Sequence, residues 1–251
     1  MPWVESISPS FTARHEAADA DAAHRVLHSL ELTRERLAEA FPRTVTDVTV
    51  ILHRSTASLA MTNPLLPIAW LMTAPAARRY VAGWAGASDL HVLAPALLEG
   101  RASNVAGSRE MLELSAAALY ARRVIVENNH DLPRSITPKR VRLELRWAWL
   151  LEGAARWFSG QTEHSRPAIA TRLREGRRPG FPPGVRDAPL LGGTVIDLLA
   201  REHGELAAAQ FSGRLHPQGA RAALSKAFGG RSLHQTEGAW RSHLARMAGT
   251  R

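Results

Sequence analysis

A glutamate stands on the side of a helix that has to be buried, and this restricts the folds open to the 251-residue chain. From Lys139 to Ser159 the pattern is helical, and Leu145, Ala148, Glu152 and Ala155 recur at steps of three and four, so they share one face. An unpaired carboxylate on such a face is costly. Glu152 therefore needs a metal, a hydrogen-bond donor or a cation such as Arg122 or Arg123 from a facing helix.

The surrounding stretch, Leu150-Leu151-Glu152-Gly153-Ala154-Ala155-Arg156-Trp157-Phe158-Ser159-Gly160, resembles the helix that carries the third zinc ligand in gluzincin metallopeptidases. The resemblance implies an earlier helix with a His-Glu-x-x-His motif, in which two histidines bind zinc and the glutamate polarises the zinc-bound water. The helix in that place is Met111 to Arg123, where Ser115 falls on the first histidine, Ala116 on the glutamate and Leu119 on the second histidine. No change of register restores the motif, because Leu114 to Val126 contains no His, Asp, Glu or Cys. Glu152 alone cannot make a site of three protein ligands and a water.

The C-terminal part is similar to the helical end of the same peptidases. Gly193 to His203 reads as a helix ending at Gly204, and Ala222 to Phe228, Gly229, Ser232-Leu233, Glu237 and Trp240 follow in the family's order. The likeness covers about Thr44 to Arg246. Active members also place a tyrosine or histidine after the glutamate helix to stabilise an oxyanion. The only tyrosines here, Tyr80 and Tyr120, precede it; His203 and His216 follow it, but nothing in the sequence places them.

The expected fold class is α+β: a helix and small sheet lobe over 1–95, packed on a helical lobe over 96–251 that carries the remnant site helices. A first helix is expected from Ala13 to Ala40, closed by Phe41-Pro42. Val45 to Leu52 alternates as a half-buried strand does, and Ser88 to Pro95 reads as a second strand ended by proline. By the resemblance, the strand before the first metal helix forms the edge along which an extended substrate lies. Leu90, His91, Val92 and Leu93 are thus the expected peptide-binding edge, able to bind by strand addition without chemistry.

Composition narrows the function classes. With no cysteine, disulfides and thiolate metal sites are excluded. No basic-then-apolar leader opens the sequence, and the most apolar segment, Pro64 to Ala77, is broken by Pro67 and Pro75 and too short for a bilayer, so a cytoplasmic location is expected. The net charge of +9 is uneven, with 8 arginines against 10 acids in residues 1–100 and 24 basic against 13 acidic residues in 101–251. The densest basic runs, Arg134 to Arg146 and Arg166 to Arg186, carry no helix-turn-helix, RNA-recognition or zinc-finger pattern, which argues against nucleic acid as partner. His24 and His28 lie one helical turn apart without a third ligand, and His15 with Asp19 points to the opposite side. Trp147, Trp149, Trp157 and Phe158 read as core contacts rather than a ligand cage, and Ser115 has no base within a turn to make it a nucleophile.

The sequence reading is therefore a catalytically inactive metallopeptidase-like protein that has lost zinc, needs no cofactor, and binds a peptide or protein segment. Its alternatives are a zinc-dependent hydrolase in which Glu152 works with distant histidines such as His91 or His130, and an arginine-rich binder of polyanions.

Overall fold

Five short strands gather in the first 95 residues: β1 (Trp3–Ile7), β2 (Phe11–Glu16), β3 (Val48–His53), β4 (Gly83–Ala85) and β5 (Asp89–Leu93). They form one sheet in the order β1-β2-β3-β5-β4, in a computed structural model that describes residues 3–135, 137–176 and 178–249. β2, β3 and β5 run parallel, and β1 and β4 close the two sides antiparallel. The alternation seen in sequence is real in β3, where Val48, Val50 and Leu52 are buried.

Fourteen α-helices complete the described residues. Between β2 and β3 lies α1 (Ala20–Ala40); α2 (Thr56–Thr62), α3 (Leu66–Met72) and α4 (Pro75–Arg78) separate β3 from β4. After the sheet come α5 (Pro95–Arg101), α6 (Ser108–Glu113), α7 (Ser115–Asn128), α8 (Pro138–Arg146) and α9 (Ala148–Phe158). The chain ends with α10 (Arg166–Arg174), α11 (Ala188–His203), α12 (Glu205–Ser212), α13 (Ala220–Ala227) and α14 (Leu233–Ala248). The fold is α+β, as expected, and its buried apolar residues form one cluster that runs through 1–95 and 96–251 alike. No described helix is long and apolar enough to cross a membrane.

α7 joins the sheet to the helices. Tyr120 meets Phe11 edge to face at 4.9 Å and donates its hydroxyl to the Val45 carbonyl at 2.8 Å. Asn128 grips the backbone of Arg43, accepting from its N–H at 3.2 Å and donating to its carbonyl at 2.7 Å. α9 then lies against α11 with backbones in close contact: a Cβ on Gly153 would collide with the backbone of Gly192, and one on Gly192 with the Trp149 carbonyl. Glycine at both positions is what lets the helix bearing Glu152 sit this deep.

Three elements differ from expectation. The first helix begins at Ala20, not Ala13, because Phe11, Ala13 and His15 alternate with outward residues and the strand that carries them pairs with β1 on one side and β3 on the other. His15 is therefore a strand residue, bonded to the Ser6 hydroxyl at 2.9 Å, and His24 and His28 are exposed on α1. The glutamate helix is two helices, α8 and α9, interrupted at Trp147 (φ −106°, ψ 16°), so Leu145 and Glu152 do not share one continuous face. Finally, Leu90, His91, Val92 and Leu93 are not an edge: β5 is paired with β3 on one side and β4 on the other, and the edge belongs to Gly83–Ala85.

Candidate functional site

A cleft of about 530 Å³ opens between β4 and α9, and Ser115, Leu119 and Glu152 all line it. Steps of four and three put Ser115, Leu119 and Arg122 in one stripe along α7. Ala116 is buried in the core and does not line the cleft. Three of the four positions expected from the resemblance thus lie on one cleft, and Ala116 does not.

Glu152, the expected remnant ligand, is met by a cation from the chain itself. Arg122 Nε donates to Glu152 Oε1 at 2.7 Å and its NH2 donates to Glu144 Oε2 at 2.8 Å, while Arg140 Nε holds Glu144 Oε1 at 2.7 Å. Burial alone would pull the Arg122 guanidinium down, but the charges and hydrogen bonds of Glu152 and Glu144 raise it above its ordinary value. Glu144 is likewise held below the usual carboxylate range: burial opposes ionisation, and the two arginines outweigh it. This alternating chain of charges ties α7, α8 and α9 together, although α8 has no buried residue of its own.

These residues do not fit a zinc centre. Ser115, Ala116 and Leu119 offer no imidazole or carboxylate, Glu152 already accepts from Arg122, and among the described residues no group of three His, Asp or Glu side chains could hold a metal. His91 and His130 do not line the cleft; His91 is buried, and His130 faces solvent.

Deeper along α9, one turn past Glu152, Arg156 also lines the cleft, with only 8% of its surface exposed. Its NH1 donates to Gln161 Oε1 at 2.7 Å, its Nε has no partner, and among the described residues no carboxylate lies within ion-pair distance. Burial pulls this guanidinium below its ordinary value, and the charge of Glu152 offsets that only in part. Ser115 is 4% exposed, and its buried hydroxyl is also without a partner. Gln161 is fixed by donating to the Met111 carbonyl at 2.5 Å, one turn before Ser115.

The mouth of the cleft is apolar. Leu65, Ile68 and Met72 on one side and Val141 and Leu145 on the other line it while remaining exposed, so both rims present hydrocarbon to water. Along one wall runs the edge strand. Leu93 N–H donates to the Ala82 carbonyl and Gly86 N–H to that of Asp89, which makes residues 82, 84 and 86 the bonded positions against β5. Antiparallel alternation then turns the N–H and C=O of Gly83 and Ala85 outward. Trp84 steadies this short strand by stacking on His91, with ring centroids 4.4 Å apart and planes 4° from parallel, and by donating to the Thr62 hydroxyl at 2.9 Å. His91 continues inward to Asp89 at 3.1 Å and His53 at 2.9 Å.

Sequence reasoning missed β4, Arg156 and the apolar rims. Three residues are too few to show a period of two, and the rims come from α3 and α8, which are distant in sequence. Arg156 did leave a signal, since it follows Glu152 by one turn. The three tryptophans around Glu152 are structural: Trp147 and Trp149 are buried with ring centroids 6.0 Å apart, Trp157 donates to Asp197, and none of the three lines the cleft. In the basic runs, Arg172 forms a buried pair with Asp187 and Arg140 belongs to the charge chain; Arg177 lies outside the described residues.

No protein-family model, curated protein or solved structure matches this chain.

Proposed function

We propose that this protein is a non-catalytic, metallopeptidase-like binding protein that receives an extended peptide segment in the cleft between β4 and α9. The observation that carries the reading is the pairing of an open strand edge with an apolar trough. Gly83 and Ala85 offer backbone donors and acceptors, and the exposed rims offer area for alternate side chains. An added strand would hydrogen-bond to Gly83 and Ala85 and bury the hydrocarbon of Ile68, Met72, Val141 and Leu145. Arg122 is the support for a binding rather than a hydrolytic role: it neutralises Glu152, and no residue on the facing stripe of α7 supplies a base.

Strand addition is tested by Ala85→Pro, which removes an outward N–H without touching the bonds to β5. Hydrogen exchange of the parent with an apolar peptide should show new protection at Gly83–Ala85, and the proline variant should bind at least tenfold more weakly. Peptide binding that leaves these amides unprotected would overturn the reading.

A further inference from the structure

The buried end of the cleft has a polarity that the peptide-binding reading leaves unexplained, and the inference drawn from it rests on that reading. Along the cleft, the Arg122–Glu152 pair marks one point, and Ser115 on α7 and Arg156 on α9 lie beyond it, Ser115 two turns away and Arg156 one. The Arg156–Gln161–Met111 bonds tie the C-terminal end of α9 to α6, one turn before Ser115. Tyr80, which also lines the cleft, donates to the Ser108 hydroxyl at the start of α6. Here the walls meet: Thr73 and Val185 both line the cleft, and the neighbouring Ala74 N–H donates to the Arg186 carbonyl at 3.0 Å across the gap. The trough is therefore bridged where Thr73 and Val185 line it.

A guanidinium this buried without a carboxylate partner is a net cost to the fold. An apolar side chain of the same length would fill the space more cheaply, so what Arg156 contributes lies in what it can receive. Its unpartnered Nε and the unpartnered Ser115 hydroxyl are two donors lining one cleft, and a carboxylate has two oxygens.

We propose that Arg156 and Ser115 receive the free C-terminal carboxylate of an extended apolar peptide, bound antiparallel to β4 with its last residue at the bridged end. The direction follows from the strand, because Gly83 lies beside Leu119 and the chain runs from Tyr80, near Ser108, toward Ala85. A terminal carboxylate continues the backbone axis and can stop where the trough stops. Arg156 and Gln161 then read the end of the chain while the rims of α3 and α8 take its apolar side chains.

The test is fluorescence anisotropy on the full chain with a labelled apolar hexapeptide in three forms: free acid, C-terminal amide, and amide with an internal glutamate. The free acid should bind at least tenfold more tightly than either amide, and in Arg156→Met or Ser115→Ala the ratio of acid to amide affinity should fall toward one. Equal binding of acid and amide by the parent protein would overturn the inference while leaving peptide binding intact, and this comparison needs no variant to fold. Tight binding of the glutamate-containing amide, or of a fatty acid alone, would also overturn it. Failure of every peptide to bind would remove both the inference and the reading beneath it.

Discussion

Arg122 Nε lies 2.7 Å from Glu152 Oε1, so the carboxylate that looked in sequence like a metal ligand is neutralised by a guanidinium three residues beyond Leu119. Because Arg122 also holds Glu144, its loss would strand two carboxylates at once. Each of the three side chains keeps a fifth to a third of its surface in water, which moderates the penalty below that of a fully buried pair. Arg122→Met should cost about 2–3 kcal/mol of unfolding free energy at pH 7. Adding Glu152→Leu to it should recover part of the loss; a double variant as unstable as the sum of both single variants would show that the residues are not coupled.

Gly153→Ala tests the approach of α9 to α11. The new methyl group would meet the Gly192 backbone, which cannot rotate away as a side chain can. Thermal or denaturant unfolding should show a loss of about 3 kcal/mol. The same change at Gly238 on α14, where a Cβ meets nothing within 4 Å, should be neutral or slightly stabilising.

The buried His53–His91 pair predicts a pH dependence. Burial, with the neighbouring His91, lowers the His53 pKa from 6.5 to about 4. The unfolded chain therefore binds a proton at His53 near pH 6.5, and the folded one only near pH 4. The contribution of this site is complete above pH 6.5, declines as pH falls through the interval, and levels off below 4; its full size is on the order of 3 kcal/mol. His91 is hydrogen-bonded to His53 and Asp89 in turn to His91, and unfolding of His53→Gln against the parent at pH 7.5 and 4.5 isolates the share of His53. A stability gap between the two proteins that is the same at both pH values would contradict this account.

What was legible in sequence had a period or a motif long enough to be seen. Val45 to Leu52 alternates roughly, and Val48, Val50 and Leu52 are its buried positions; Glu152 with Gly153 stands out on an apolar helix, so the central strand and one wall of the site could be read directly. Arg122 was visible too, as a candidate partner on the facing helix. β1 and β2 were not, because the alternation of Phe11 to His15 runs into the helical pattern that begins at Ala20. The true edge escaped because Gly83–Ala85 is three residues long and is defined only by its pairing with β5. The apolar rims are a product of tertiary folding, since Ile68 and Leu145 are 77 positions apart in the chain and meet only across the cleft.

Supplying imidazole donors at the cleft offers a converse prediction. Ser115→His and Leu119→His with Arg122→Leu would place two imidazoles one turn apart on the cleft stripe, facing a Glu152 released from its cation. This variant should retain one equivalent of zinc through dialysis, by elemental analysis, while the parent retains none. Equal zinc retention by both would mean that the parent already possesses a metal site elsewhere.

The central claim, that the cleft holds peptides without cutting them, is tested most directly by incubating the protein with a pool of apolar peptides, with and without added zinc, and analysing the bound and free fractions by mass spectrometry. The account predicts saturable retention of intact peptides, indifferent to zinc. Zinc-dependent cleavage that disappears in Glu152→Gln, or a pool from which nothing is retained, would contradict it.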